Sequence, residues 1–293
     1  MKFKSTLVDI PTLARIAQSL AVMNKVCWLR LSKTTIQFIV RQLSSATQVW
    51  ASIPAEALFR QYTIESNADN VINLELSVDE FGRLLRNMVS NSEVTVKLTK
   101  RSGYPMLSCM STFYGKHGGA NTVTNDLNVR VLPSQSIDEI QEPDVGEPDV
   151  VIMLPSLVQL SYISNSLKTL ADRLILSANM DGKFSVGIDT PAVKTETMFT
   201  NLAHPTFNQA AYDGPVEELP VQKRDKQQFC HLRIDAKDWC NLLRIGPIAK
   251  RVVACFCEDQ VLVIYVHLAD EDDEAEQNAH AAVLTYYIPT CQE

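Results

Sequence analysis

Several signatures that would give this chain an immediate label are missing. None of its seven cysteines forms a CxxC pair, so neither a zinc ribbon nor a dithiol redox motif is written in it. The five histidines show no HExxH and no paired Cys/His spacing, which removes the common metal-binding patterns. Cys230 stands next to His231, but neighbours on a strand point to opposite faces and cannot exchange a proton directly. The stretch "GKHGGAN" (115–121) lacks the GxxxxGK-Ser/Thr form of a phosphate loop and precedes no helical pattern, so it reads as a turn. Apolar runs such as Val261 to Val266 are far too short to cross a bilayer, and "MKFKSTLVDIPTL" has neither the long apolar centre nor the small-residue cleavage site of a signal peptide. Catalysis has no seat in this sequence, and a cytosolic or nuclear setting is expected.

The composition is that of a soluble globular protein. The 293 residues, 46% hydrophobic and 21% charged, suffice for two ordinary domains that each bury a core. Most cysteines sit in apolar runs, where a free thiol behaves as a small hydrophobe, and this suits a reducing compartment. A net charge of −7 argues against a surface that is basic all over, while leaving room for one basic face on an acidic body.

One pattern recurs four times. Lys2 to Asp9 alternates as a strand, Pro11 fits a helix's first turn where its missing N–H has no partner to lose, and Leu13, Ile16, Ala17 and Leu20 mark one helical face. "VCWLRLS" and "TIQFIV" then read as a hairpin. The second copy runs from "VINLELS", where Ser77 and Glu80 have capping-box spacing, through Phe81, Leu84, Leu85 and Met88 to "EVTVKLT" and "YPMLSCMS". The third joins a strand at Val150 to Leu154, a helix after Pro155 through Leu157, Leu160, Leu167 and Leu170, and "LILSANMDGKFSVGI", whose Asp181-Gly182 signals a hairpin turn. The fourth is "FCHLRID", then Ala236, Trp239, Leu242 and Leu243, then "RVVACFC" and "QVLVIYVHL". A repeat of about 70 to 80 residues is too long for a solenoid.

Each copy buries one sheet face under one helix, and two copies side by side make a sheet with two helices on the same face. Copies one and two therefore form a domain at 1–132, and copies three and four another at 149–293. Between them "LPSQSIDEIQEPDVGEP" is rich in proline and acid and carries no periodicity, so residues 133–148 read as a connector. Residues 203–228 read as a long mobile loop and "DEDDEAE" (270–276) as a solvated hairpin loop.

Two such domains joined by one long connector resemble the sliding-clamp fold of proliferating cell nuclear antigen. "MKFK", "LELSVDEFGRLLRN", "VTVKLT", "QEPDVGEPDVVIMLP", "LSANMDGKFSVGI" and the closing "YYIP", in that order and spacing, are similar to the hydroxyurea-sensitive (Hus) subunit family of the heterotrimeric checkpoint clamp, the nine-one-one ring. The likeness spans nearly the whole chain. It implies an α+β clamp fold, two similar domains each with a curved antiparallel sheet and two helices on the inner face. It also implies a non-catalytic subunit, without cofactor, that closes a ring around double-stranded DNA together with two sister subunits of the radiation-sensitive class. That ring would be loaded by an ATP-driven clamp loader without regard to DNA sequence, and would recruit checkpoint and repair proteins in the nucleus, with cytoplasmic presence also allowed. A homotrimeric replication clamp and a duplicated α+β interaction module that never meets DNA are the rival readings.

The resemblance also assigns candidate sites. Helices lining a ring would turn Arg15, Arg83, Arg86, Lys168, Lys237 and Arg244 toward phosphate, although the same residues also suit ordinary solvated helix faces. Ring edges would fall at Thr122 to Val131, with Val123, Asp126, Leu127, Val129 and Arg130, and at Ala192 to Thr200, with Val193, Lys194, Glu196 and Met198. A partner-peptide pocket beneath the connector and beside the last strand would use Ile137, Ile140, Val145, Tyr286, Tyr287, Ile288 and Pro289.

Overall fold

The structure, a computed structural model, describes residues 1–42, 44–89, 94–114, 120–133, 141–205, 224–268 and 282–291. Most of the 203–228 stretch, the first five residues of "GKHGGAN" (115–119) and the whole acidic run 270–276 lie outside the described residues. Contacts divide the chain into two compact units. Unit 1 holds Met1–Arg41 and Val49–Glu142, and unit 2 holds Pro143–Asp270 and Leu284–Glu293 with Gln42–Gln48. The division falls inside the span read as a connector.

Unit 1 opens with β1 (Lys2–Leu7), α1 (Ile10–Ala21) and the hairpin of β2 (Val26–Leu31) and β3 (Thr35–Arg41). After β4 (Gln48–Pro54), the single turn α2 (Ala55–Leu58) and β5 (Phe59–Glu65), the pattern returns as β6 (Ile72–Ser77), α3 (Val78–Met88), β7 (Val94–Arg101) and β8 (Tyr104–Tyr114), followed by β9 (Ala120–Val131). Unit 2 runs β10 (Val150–Met153), α4 (Leu157–Lys168), β11 (Arg173–Ala178), β12 (Phe184–Asp189) and β13 (Lys194–Phe199). It repeats as β14 (Cys230–Asp235), α5 (Ala236–Leu242) with a 3-10 turn (Leu243–Ile245), β15 (Arg251–Cys257), β16 (Val261–His267) and β17 (Val283–Pro289).

Strand pairing is alike in the two units. Unit 1 orders its strands β4-β3-β2-β6-β9-β8-β7-β1-β5, and unit 2 has β13-β12-β11-β14 and β10-β15-β16-β17. In both, the first hairpin pairs antiparallel with the strand that opens the second copy, β2 with β6 and β11 with β14. β1 and β10 pair with the second hairpins, through β7 and β15. β5 has no counterpart among the described residues of unit 2. Neither β4 nor β5 has a clean alternation: Val49, Trp50 and Ala51 are buried in succession, and Gln61 takes a left-handed φ of 52° where the β1–β5 register slips.

Side-chain caps start three of the helices. Asp9 accepts from the Thr12 N–H at 3.0 Å, Ser77 from Glu80 at 3.4 Å, and Asp235 from Lys237 and Asp238 at 2.8 and 3.0 Å. α1 buries Leu13, Ile16, Ala17 and Leu20, α3 buries Phe81, Leu85 and Met88, and the two pack together in unit 1. Leu13, Phe81 and Leu85 line one apolar space with Phe3, Leu7 and Val96, so the helices share one face of the sheet. α4 packs on α5 and its 3-10 turn. Leu170, expected on the α4 stripe, lies past the helix end and is 57% exposed, because the N–H groups of Thr169 and Leu170 turn back to Ser166 and Leu167 and close the helix. At the Asp181-Gly182 turn Gly182 has φ +74°, and a Cβ there would stand 2.7 Å from the Leu202 carbonyl, so only glycine fits.

The fully buried Trp239 of α5 donates its indole N–H to Ser164 Oγ of α4 at 2.8 Å. Ser164→Ala would leave that donor buried without an acceptor, and unfolding followed by denaturant should register a loss of about 1–3 kcal/mol.

Candidate functional site

The six cations assigned to the helix faces are all exposed, and their surroundings differ. Arg83 is taken up by Asp79 one turn earlier on α3 in an i,i+4 ion pair, and that carboxylate holds the guanidinium above its ordinary pKa. Arg86 sits in the last turn of the same helix, where it favours the macrodipole. In unit 2, burial pushes the Cys240 thiol up while the charges of Lys168 and Arg244 act on it in the opposite sense. Gly82 of α3 faces Ala17 of α1, with an added Cβ only 3.6 Å from the Ala17 Cβ, so the two helices of unit 1 approach closely.

Both assigned edges exist as strands, though their chemistry differs from expectation. β13 pairs with β12 alone among the described residues. Lys194, Glu196 and Met198 are exposed along it, and Val193 precedes it. β9 pairs with β8 from Ala120 to Asn128 and with β6 at Val129, Arg130 and Val131, so among the described residues 120–128 are paired on one side only. Val123, 42% exposed, lies on that open stretch. Leu127 and Val129 point into the core instead and are buried, because β9 closes the unit 1 sheet with one apolar face.

The charges expected to discriminate partners are matched within the chain. Asp126 pairs with Arg101 at 2.7 Å, Arg130 with Glu75 at 2.6 Å and Lys194 with Asp189 at 2.8 Å, and Glu196 accepts from Ser185 Oγ at 2.6 Å. Gly187 of β12 lies directly under β13, where a Cβ would meet the Thr195 carbonyl at 2.5 Å.

The pocket residues separate. Tyr286, Tyr287 and Ile288 are buried in β17 and offer no surface to a peptide; Pro289 and Val145 are partly exposed; Ile137 and Ile140 lie outside the described residues. A cavity of about 720 Å³ opens instead on the outward face of the β11–β14 sheet, floored by Ile175, Ser177 and Gly187 and walled by Glu196, Arg233 and Cys291. The tail reaches it because the Cys291 N–H donates to the Arg233 carbonyl at 2.8 Å. Sequence reasoning did not find this recess, since its floor depends on which residues of β11 and β12 stand side by side.

No reactive group gathers among the described residues. All seven cysteines are free, and burial pushes Cys109, Cys230 and Cys255 up to about 12, far from a nucleophilic thiolate at neutral pH. Asp149, Cys230 and Glu258 bring possible ligand atoms within 4.8 Å of one another. The cation there is a guanidinium: Arg224 bonds Glu258 at 2.8 and 3.2 Å, stands 3.3 Å from Asp149 and donates to the Phe229 carbonyl. Asp149 also accepts from the Glu258 N–H at 2.8 Å. The cluster thus fastens the start of β10, the β15–β16 turn and the approach to β14.

Twinned strand–helix–hairpin units with paired helices define a sliding-clamp architecture, and the comparison of structures agrees. A crystal structure of proliferating cellular nuclear antigen from Entamoeba histolytica superposes with a TM-score of 0.71 over 99% of each chain, at 13% identity. At the level of sequence, the model of the Hus1-like protein family matches residues 1–292. Checkpoint protein hus1 of Schizosaccharomyces pombe is 40% identical and checkpoint protein HUS1 of Homo sapiens 29% identical, each over 99% of both chains. The chain belongs to the Hus1 family, as a non-catalytic checkpoint protein built on the clamp fold.

Arg224 provides a test of how unit 2 is held. Arg224→Met should cost about 1–3 kcal/mol in denaturant unfolding, because the two carboxylates left behind are partly solvated. Arg224 holds Glu258 below its ordinary value of 4.5, so the bond's contribution is full above that pH and is lost as pH falls through the depressed value. Stability measured against pH should therefore fall less steeply on the acid side in Arg224→Met than in the parent.

Proposed function

We propose that this chain is one of three different subunits of a ring that encloses double-stranded DNA at sites of damage, the other two being sister clamp subunits of the radiation-sensitive class. The observation that carries the proposal is the pair of open strands, β9 over residues 120–128 and β13. Each presents unpaired backbone donors and acceptors that a strand from another chain can complete. Val123 and Met198, 42% and 43% exposed, add apolar contact beside those ladders. An ATP-driven loader opens and closes the ring, which works in the nucleus. Recruited checkpoint and repair proteins insert peptides at the recess beside Thr290 and Cys291.

In this ring the helix faces meet phosphate through Arg15, Arg86, Lys168, Lys237 and Arg244, while Arg83 contributes less because Asp79 neutralises it. Enclosure supplies retention, so phosphate contacts need be neither many nor strong, and they act without regard to sequence.

The first test is assembly. The purified chain alone should weigh as a monomer and form a trimer only with two sister subunits; a stable homotrimer would sink the heterotrimer. The second is retention on closed circular DNA. Reversing Arg86, Lys168, Lys237 and Arg244 together should leave the ring assembled yet shorten its retention and lower the salt slope by about one unit for each phosphate that is no longer neutralised. Unchanged retention at every salt concentration would favour an interaction module that never touches DNA.

A further inference from the structure

The face of the unit 1 sheet turned away from α1 and α3 carries a charge pattern that neither the open edges nor the helix faces use. Along β1, Phe3, Ser5 and Leu7 are buried, so Lys2, Lys4 and Thr6 take the outward positions; β7 buries Val94 and Val96 and turns Thr95 and Lys97 outward. In the β1–β7 ladder Lys4 is the direct partner of Lys97. Like charges set opposite each other across strands are destabilising.

Strand lysines often serve to blunt open edges, but β1 lies between β5 and β7, and β7 between β1 and β8, so no edge is there to blunt. Arg60 of β5, the partner of Thr6, adds a third cation. Two other basic residues nearby are already matched, Lys2 to Glu65 at 3.1 Å and Arg101 to Asp126 at 2.7 Å. Among the described residues Lys4, Lys97 and Arg60 have no carboxylate at ion-pair distance. The row continues from Lys97 to Ser108, whose hydroxyl is buried without a hydrogen-bond partner, and ends on Asp126, held by Arg101.

We propose that this face docks an extended acidic peptide segment of a partner protein. Charge complementarity selects the occupant: three unmatched cations stand together on a chain whose net charge is −7, so an acidic partner is repelled in general and attracted here. Carboxylates at alternate positions of an extended peptide lie about 7 Å apart, a spacing that lysines side by side on adjacent strands can meet with their flexible stems. A duplex running along α1 and α3 cannot reach these cations, because the sheet itself stands between.

The inference does not rest on the ring, and its test uses the full chain alone. The probe is a short fluorescein-labelled peptide alternating Glu and Ser, followed by anisotropy. Lys4→Glu converts the like-charge pair into an opposite-charge pair, so it should raise the Tm of the unliganded chain while weakening the peptide by about tenfold or more. Lys4→Arg should keep the binding, and Arg86→Glu on α3 should leave it unchanged. Three results would overturn the proposal: peptide affinity unaltered in Lys4→Glu; a lower Tm in that variant, meaning the lysine stem packs on the sheet and the pairing carries no cost; or displacement of the peptide by a short DNA duplex in the Arg86→Glu background, meaning the face binds nucleic acid instead.

Discussion

One antiparallel pairing makes each unit. A single strand, helix and hairpin can cover only part of a sheet, and the second copy joins the first through β2 with β6 in unit 1 and β11 with β14 in unit 2. The residue that ends the ladder also begins the helix. Ser77 pairs with Val26 and caps α3, and Asp235 pairs with Arg173 and caps α5. A slip of one residue in either ladder would therefore send the strand's apolar side chains to solvent and start the helix from the wrong place. Register and helix position are one constraint, and the neighbouring helix follows: α1 lies on α3 and α4 on α5.

That arrangement decides where charge can gather. The helices spend their apolar residues on the sheet, leaving exposed faces on which a few cations suffice to colour the surface of an acidic chain. Asp79 and Asp235 lie at helix starts, where the macrodipole and the first N–H groups favour a carboxylate, so acids beside the cationic faces have a structural reason to be there. Only Asp79 reaches a helix-face cation of the candidate set within ion-pair distance among the described residues, by closing on Arg83.

The fold was legible to the extent that it repeats. Periodicity needs only local order, and Leu13, Ile16, Ala17 and Leu20, or the alternation in "VCWLRLS", report which face is buried without any knowledge of the partner. Ser77 and Glu80 are equally local. β4 and β5 were illegible because burial on both sides of Trp50 and the bulge at Gln61 erase the period. The sites were less legible still. Leu127 and Val129 share a side with Val123 in any strand, yet only their placement in the sheet, Leu127 opposite Leu107 of β8 and Val129 opposite Leu76 of β6, shows that these two are buried. The recess over Gly187 and the opposition of Lys4 to Lys97 depend on cross-strand register, which no single-strand pattern contains. Tyr286 and Tyr287 are pocket candidates only through the resemblance to clamps that bind peptides beside the last strand; burial assigns them to the core.

The two open strands also bear on why one kind of chain would not close a ring by itself. Self-assembly head to tail would bring β13 of one copy against β9 of the next, and specificity would have to come from charges left over on each. Little is left over. Asp126, Arg130 and Lys194 each have an oppositely charged partner inside their own chain, so a new ion pair made by any of these three across the paired edges would break an existing one. Glu196, bonded to the Ser185 hydroxyl, is the one charge of the four that keeps its full sign. Backbone ladders and side chains such as Val123 and Met198 supply attraction without choice. A sister chain with its own side chains can add the choice that two copies of this one lack, since discrimination between partners rests on a difference in affinity. On the proposed ring, the internal pairing of Asp126, Arg130 and Lys194 is therefore a reason for heterotrimeric assembly.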